Sequence, residues 1–247
     1  ATSYTDTAGN TGPAATTANY AVETLAPTVN SVAISSASGV QNSLLNAGDN
    51  VSVTATFSES VIVDNASGTP TLTLVVGSDN RTSTYTSGSG STPLVFQYTI
   101  QAGETDADGI SIEANTLALN SGTIRDAAGN NATITYSSVS ANTSYKVDNT
   151  APSVDNFTLS DTALKAGDNA TVTLVFSEAV ASFSSAADIT ADNGTLATMT
   201  SADNITWAGT FTPTANTEDA SNTLSLATSY TDTAGNAGPA ATTANYA

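Results

Sequence analysis

The chain has 247 residues, with 22 acidic against four basic side chains for a formal charge of −18, and it contains neither Cys nor His. That composition excludes thiol and imidazole catalysis, disulfides and zinc sites of the Cys/His kind. The charge argues against nucleic acid or an anionic membrane surface as a partner, and no apolar run approaches the ~18 residues of a membrane helix, so no membrane insertion is expected.

In chain order, the first feature is a duplication. Residues 1–21, ATSYTDTAGNTGPAATTANYA, return as residues 227–247 with Thr11 against Ala237 as the only difference. Repeat architecture has to be settled before any local reading. The chain is therefore expected to be a window on a longer array, with residues 1–24 forming the last two strands of a preceding repeat. After this segment, Val51, Val53, Ala55 and Phe57 alternate with Ser52, Thr54, Thr56 and Ser58, which predicts a half-buried strand. Val172, Leu174 and Phe176 predict a second strand in the same way. Clusters of Gly, Asn, Asp and Ser at 46–50, 77–80, 87–91, 103–109, 126–131, 192–194 and 232–238 predict the turns between such strands. No stretch has helical periodicity. Short strands at this spacing predict antiparallel β-sandwiches.

A more diverged repeat lies inside the first. AGDNVSVTATFSESV at 47–61 aligns with AGDNATVTLVFSEAV at 166–180, LAPTV at 25–29 with TAPSV at 150–154, and DAAGN at 126–130 with DTAGN at 232–236. These matches predict one unit over residues 25–148 and a second over residues 149–247.

The order Asp-Asn-Thr-Ala-Pro, Ala-Gly-Asp, a Val-rich strand closing on Phe-Ser-Glu, then Asp-x-Ala-Gly-Asn resembles the bacterial immunoglobulin-like repeats of giant adhesins exported by type I (RTX-type) systems. The resemblance covers nearly the whole chain. It implies an all-β fold of tandem immunoglobulin-like antiparallel sandwiches arranged end to end. It also implies a non-enzymatic extender role in a secreted protein of the bacterial cell surface, with neighbouring Ig-like repeats and calcium as partners and a distal ligand that the sequence does not name. The first linker departs from the pattern, reading Val22-Glu23-Thr24-Leu25 where the second reads Val147-Asp148-Asn149-Thr150.

In a sandwich of this kind the loop after the second strand, the loop between the last two strands and the linker meet at the pole where the chain comes in. Glu59, Asp126 and Glu23 are expected to meet there in the first unit, and Glu178, Asp232 and Asp148 in the second. The opposite pole of the first unit carries Glu104-Thr105-Asp106-Ala107-Asp108-Gly109. On stacking, Asp106 and Asp108 are expected to face Asp148, Glu178 and Asp232. Five carboxylates at one junction would need a cation, and the six to eight oxygen ligands of Ca²⁺ suit that count.

Other readings compete. Asp-Asn and Asp-Gly pairs are ordinary turn formers whose carboxylates bond their own backbone, the preferred account of Asp49, Asp79, Asp168 and Asp192. Paired carboxylates also serve glycosidases, but the one Trp, Trp207, sits in a strand pattern and no aromatic platform accompanies the acids. A self-assembling surface filament or sheath, or a module binding a glycan or protein ligand, are the alternatives to an extender.

Overall fold

The computed structural model describes residues 4–13 and 15–247; residues 1–3 and 14 of the duplicated segment lie outside the described residues. Among the described residues almost all regular structure is β, in largely antiparallel sheets, the construction of an Ig-like β-sandwich.

The predicted alternation around Val51 is the centre of the first core. In the strand Asn50–Asp64, Val51, Val53, Ala55 and Phe57 point inward and are buried, while the Ser and Thr between them are half-buried on the other side. This strand pairs antiparallel with Val29–Ser38 on one edge and Ser91–Thr99 on the other. Asp79–Ser87, Thr71–Val76 and Leu117–Ala118 continue the sheet in that order. Phe-Ser-Glu does not end the strand as the sequence reading expected. The pairing with Ser91–Thr99 slips between Thr56 and Val61, and beyond that irregularity Ile62–Asp64 pairs with Thr123–Arg125. A bulge bends a strand and increases its twist, which lets one continuous strand serve two different partners and leaves Glu59 inside it rather than at a loop.

The second core is built around Ala170–Phe176, in which Val172, Leu174 and Phe176 are buried as predicted. It lies between Val154–Leu159 and Thr206–Pro213, with Gly194–Leu196 on the outer edge of the latter. A three-stranded sheet of Ile189–Ala191, Leu224–Leu226 and Ala241–Thr242 completes the set. One helical turn, Ser185–Asp188, was not expected. It forms because the buried Asp188 accepts the Ser184 backbone N–H at 2.7 Å and the Ser229 hydroxyl, a local side-chain bond that aperiodic sequence does not announce.

Two separate groups of buried side chains result. One draws on Val32 to Val147, the other on Phe157 to Tyr246. The second is the more aromatic: Tyr230 lies 4.9 Å from Phe176 between ring centroids, Phe183 stands edge-on to Trp207 at 4.8 Å, and Tyr246 edge-on to Phe211 at 5.0 Å. Trp207 is half-buried in its strand, the position its alternation suggested.

Candidate metal centre

The Asp-x-Ala-Gly-Asn turn folds on itself before it does anything else. In residues 232–236 the Asp232 backbone N–H donates to the Asn236 carbonyl at 3.1 Å. Asp232 Oδ1 accepts the N–H groups of Ala234 and Asn236 at 2.8 and 2.9 Å, and Oδ2 accepts Asn236 Nδ2 at 2.8 Å. Asp126 repeats the arrangement with Asn130. Burial opposes ionisation of Asp126, but the Asn130 side chain and the backbone N–H groups of the loop outweigh it and hold the carboxyl below its ordinary range. Gly235 and Gly129 both take positive φ, +93° and +96°, where an L side chain is strained. At Gly235 an added Cβ would also lie 2.3 Å from the Gln41 amide nitrogen.

The side chain of Asn236 then reaches the linker, with Nδ2 donating to the Asp148 carbonyl at 2.9 Å. Asp148 Oδ1 in turn caps the linker by accepting the Thr150 N–H at 2.9 Å. Glu178 arrives from the end of Ala170–Phe176, where Ser177 is pinned by mutual bonds with Ser153. Ligand oxygens of Asp148, Glu178 and Asp232 all lie within 4.8 Å of one another, with Asp232 buried and the other two half-buried. Burial first, and then the charges of Asp232 and Asp148, push the Glu178 carboxyl above its ordinary value. None of the salt bridges among the described residues reaches this trio; they involve Arg81 and Lys165.

The remaining expected ligands are placed differently. Asp106 is buried and closes its own loop, with Oδ1 accepting the Gly109 N–H and Oδ2 the Gly77 N–H, each at 2.8 Å. It borders the same shallow hollow as Asp148 and Lys146, but its oxygens are taken up by backbone. Asp108 is exposed. Glu104, in the same loop, is also turned inward: its carboxylate accepts the Arg81 guanidinium, the Tyr98 hydroxyl and, at 2.8 Å, the Gln101 N–H. The junction therefore gathers three carboxylates rather than five. In the first unit, Glu23 accepts the N–H of Leu25 at 2.6 Å, Glu59 is held within its strand and Asp126 within its turn. Among the described residues these three do not form a cluster of the kind seen around Glu178. Asp49 and Asp168 bond the backbone of Asn46 and Lys165, as turn formers do.

The amides of the linker and of the loop at 41–49 also hold this place together. Asn149 Nδ2 donates to the carbonyls of Glu104 and Gln101 at 2.8 and 3.2 Å, and its Oδ1 accepts the Ala47 N–H at 2.6 Å. Asn42 and Asn46 donate to the carbonyls of Thr233 and Ala234 at 2.8 and 3.0 Å. The loop at 41–49 thus meets the turn that carries Asp232. Asn149 was visible in the linker motif, but Asn is so common here that nothing marked Asn42 and Asn46.

Removing the cation that satisfies Glu104 tests the inward reading of the loop. Arg81→Ala leaves a carboxylate with 4% side-chain exposure without its charged partner. The expected cost is roughly 1–3 kcal/mol, as for a buried acceptor stripped of its donor, measured as a lower urea midpoint.

Residues 148–247 match the profile of a family described as a bacterial Ig-like domain. No curated protein matches the chain.

Proposed function

We propose that this chain is a structural segment of a large secreted protein of the bacterial cell surface, in which Ig-like units over residues 25–148 and 149–247 stand in series and hold a distal binding region away from the cell. The match of residues 148–247 to a bacterial Ig-like domain supports a stalk or binding module rather than a catalyst. The observation that carries the extender reading is the trio Asp148, Glu178 and Asp232, placed where a linker, a strand end and a turn converge beside the loop at 41–49.

The donor set suits a hard cation. It is all oxygen, it carries three formal negative charges, and Glu178 is disfavoured in its charged form by burial and by its two neighbours. Asp148, Glu178 and Asp232 are the residues that would hold Ca²⁺, and the ion would supply the positive charge that lets linker and turn remain together. The remaining coordination positions are open to backbone carbonyls or water. A joint closed in this way turns a hinged string into a stiff rod.

X-ray scattering of the whole chain tests the reading. In calcium the maximum dimension should match two units end to end, and excess chelator should broaden the distance distribution through bending at the joint. Identical profiles in both conditions would remove calcium as the stiffening agent.

A further inference from the structure

Residues 4–21 and their duplicate in 230–247 have nearly the same sequence, but their tyrosines occupy opposite environments. In the C-terminal copy Tyr230 is 0% exposed and Tyr246 3%; in the N-terminal copy Tyr4 is 65% exposed and Tyr20 76%. Val22 is 73% exposed, whereas Val147, its counterpart in the second linker, is 3% exposed and paired in parallel with Leu45. Among the described residues no hydrogen bond ties 4–22 to the rest of the chain.

The turn of the exposed copy, residues 4–12, nevertheless keeps the bonds of the buried one. Asp6 donates its N–H to the Asn10 carbonyl at 3.0 Å, and Gly12 donates to the Tyr4 carbonyl at 2.8 Å. Asp6 Oδ1 accepts Ala8 and Asn10 N–H at 2.9 Å, and Asn10 Nδ2 donates to Oδ2 at 2.9 Å. Every one of these bonds has its partner in 230–238, within a few tenths of an ångström. Tyr4 covers Gly12 as Tyr230 covers Gly238: a Cβ on either glycine would lie 2.2 or 2.1 Å from the ring. The one differing position, Thr11 against Ala237, is solvent-facing in the seated copy.

We propose that residues 4–22 are a segment with a preformed turn that completes a second Ig-like sandwich, one equivalent to residues 148–226 and lacking strands of its own at that place. The seated copy shows what such a partner must offer. It needs aromatic side chains in the places of Phe176 and Phe183 to receive Tyr4, and one in the place of Phe211 to receive Tyr20. It needs a strand edge like Leu224–Leu226 to pair with the second strand, and an N–H like that of Ala181, which donates to Thr231 at 2.8 Å. Addition of strands to an open sheet is driven by main-chain bonds and made specific by such pockets. Because the turn is already closed, part of the ordering cost of binding is met in advance. Seating would also bring Asp6 to the place that Asp232 occupies beside Glu178.

The test joins residues 148–226 in front of residue 1 of the full chain, so that the added unit lacks every strand except those that 4–22 can supply. It is run in chelator, which keeps it independent of the calcium-closed joint. Hydrogen exchange within 4–22 should slow from the unprotected level of the original chain to the level of 230–246. Tyr4→Ala with Tyr20→Ala should then unfold the added unit and leave the original core intact. The proposal is overturned if 4–22 still exchanges freely in the extended chain, or if the added unit stays folded with both tyrosines replaced.

Discussion

Tyr230→Ala should destabilise the core of residues 154–246 by about 3–5 kcal/mol, the range for truncating a fully buried aromatic, while Tyr4→Ala in the same chain should change stability by less than about 0.5 kcal/mol. The two tyrosines sit in stretches that differ at one position, so local sequence cannot distinguish them. Packing does. Tyr230 lies against Phe176 and Phe183, covers Gly238, and donates its hydroxyl to the Pro239 carbonyl at 2.9 Å. Tyr4 keeps only its cover over Gly12, with most of its surface in water. Trp207, the only Trp in the chain, packs edge-on against Phe183 and so reports on this core alone. Urea titration followed by its emission should show the midpoint falling for Tyr230→Ala and unmoved for Tyr4→Ala. Equal shifts for the two variants would mean that Tyr4 also packs into the core that Trp207 reports on.

The same comparison shows what a single sequence reveals and what it conceals. Strand identity was legible because Val51, Val53, Ala55 and Phe57, and again Val172, Leu174 and Phe176, alternate with Ser and Thr, and a period of two has one physical meaning in a sheet. The turn Asp232 to Asn236 was legible because Asp, Gly and Asn at those offsets close a loop through their own side chains. The bulge after Thr56 was not legible. It depends on which neighbour the second half of the strand finds, and that neighbour, Thr123–Arg125, lies far along the chain. For the acids, sequence supplied the residues and the poles but not the direction of each side chain. Asp106 was expected at a cation site, yet backbone N–H groups within reach occupy both of its oxygens. Glu178 has no hydrogen-bond donor among the described residues and keeps its lone pairs. Loop bonds alone do not separate the two outcomes, since Asp232 carries the same ones as Asp126; Asp232 differs in having Glu178 and Asp148 close beside it.

Glu178→Gln should change stability in opposite directions with and without calcium. The Glu178 carboxyl is raised in the folded protein by burial and by Asp232 and Asp148. An acid raised on folding binds its proton more tightly in the native than in the unfolded chain. Native stability therefore falls as pH climbs from the unfolded pKa through the folded one. In chelator at neutral pH the charged Glu178 is a net cost, and the Gln variant should be the more stable of the two. The gain should be no more than about 1 kcal/mol, since the site is partly open to solvent, and it should vanish when the pH is lowered through the carboxylate range. With calcium present the order should reverse. A ligand that binds only the folded state adds roughly 2.7 kcal/mol at a hundredfold excess over its dissociation constant, and a neutral amide forfeits part of the charge that holds the ion. Melting curves of both proteins, in calcium and in chelator at pH 7 and again near pH 4, contain the whole test. A wild type that gains nothing from calcium would leave Asp148, Glu178 and Asp232 as an acidic contact that the fold tolerates through the bonds of Asn236, Asn149, Asn42 and Asn46.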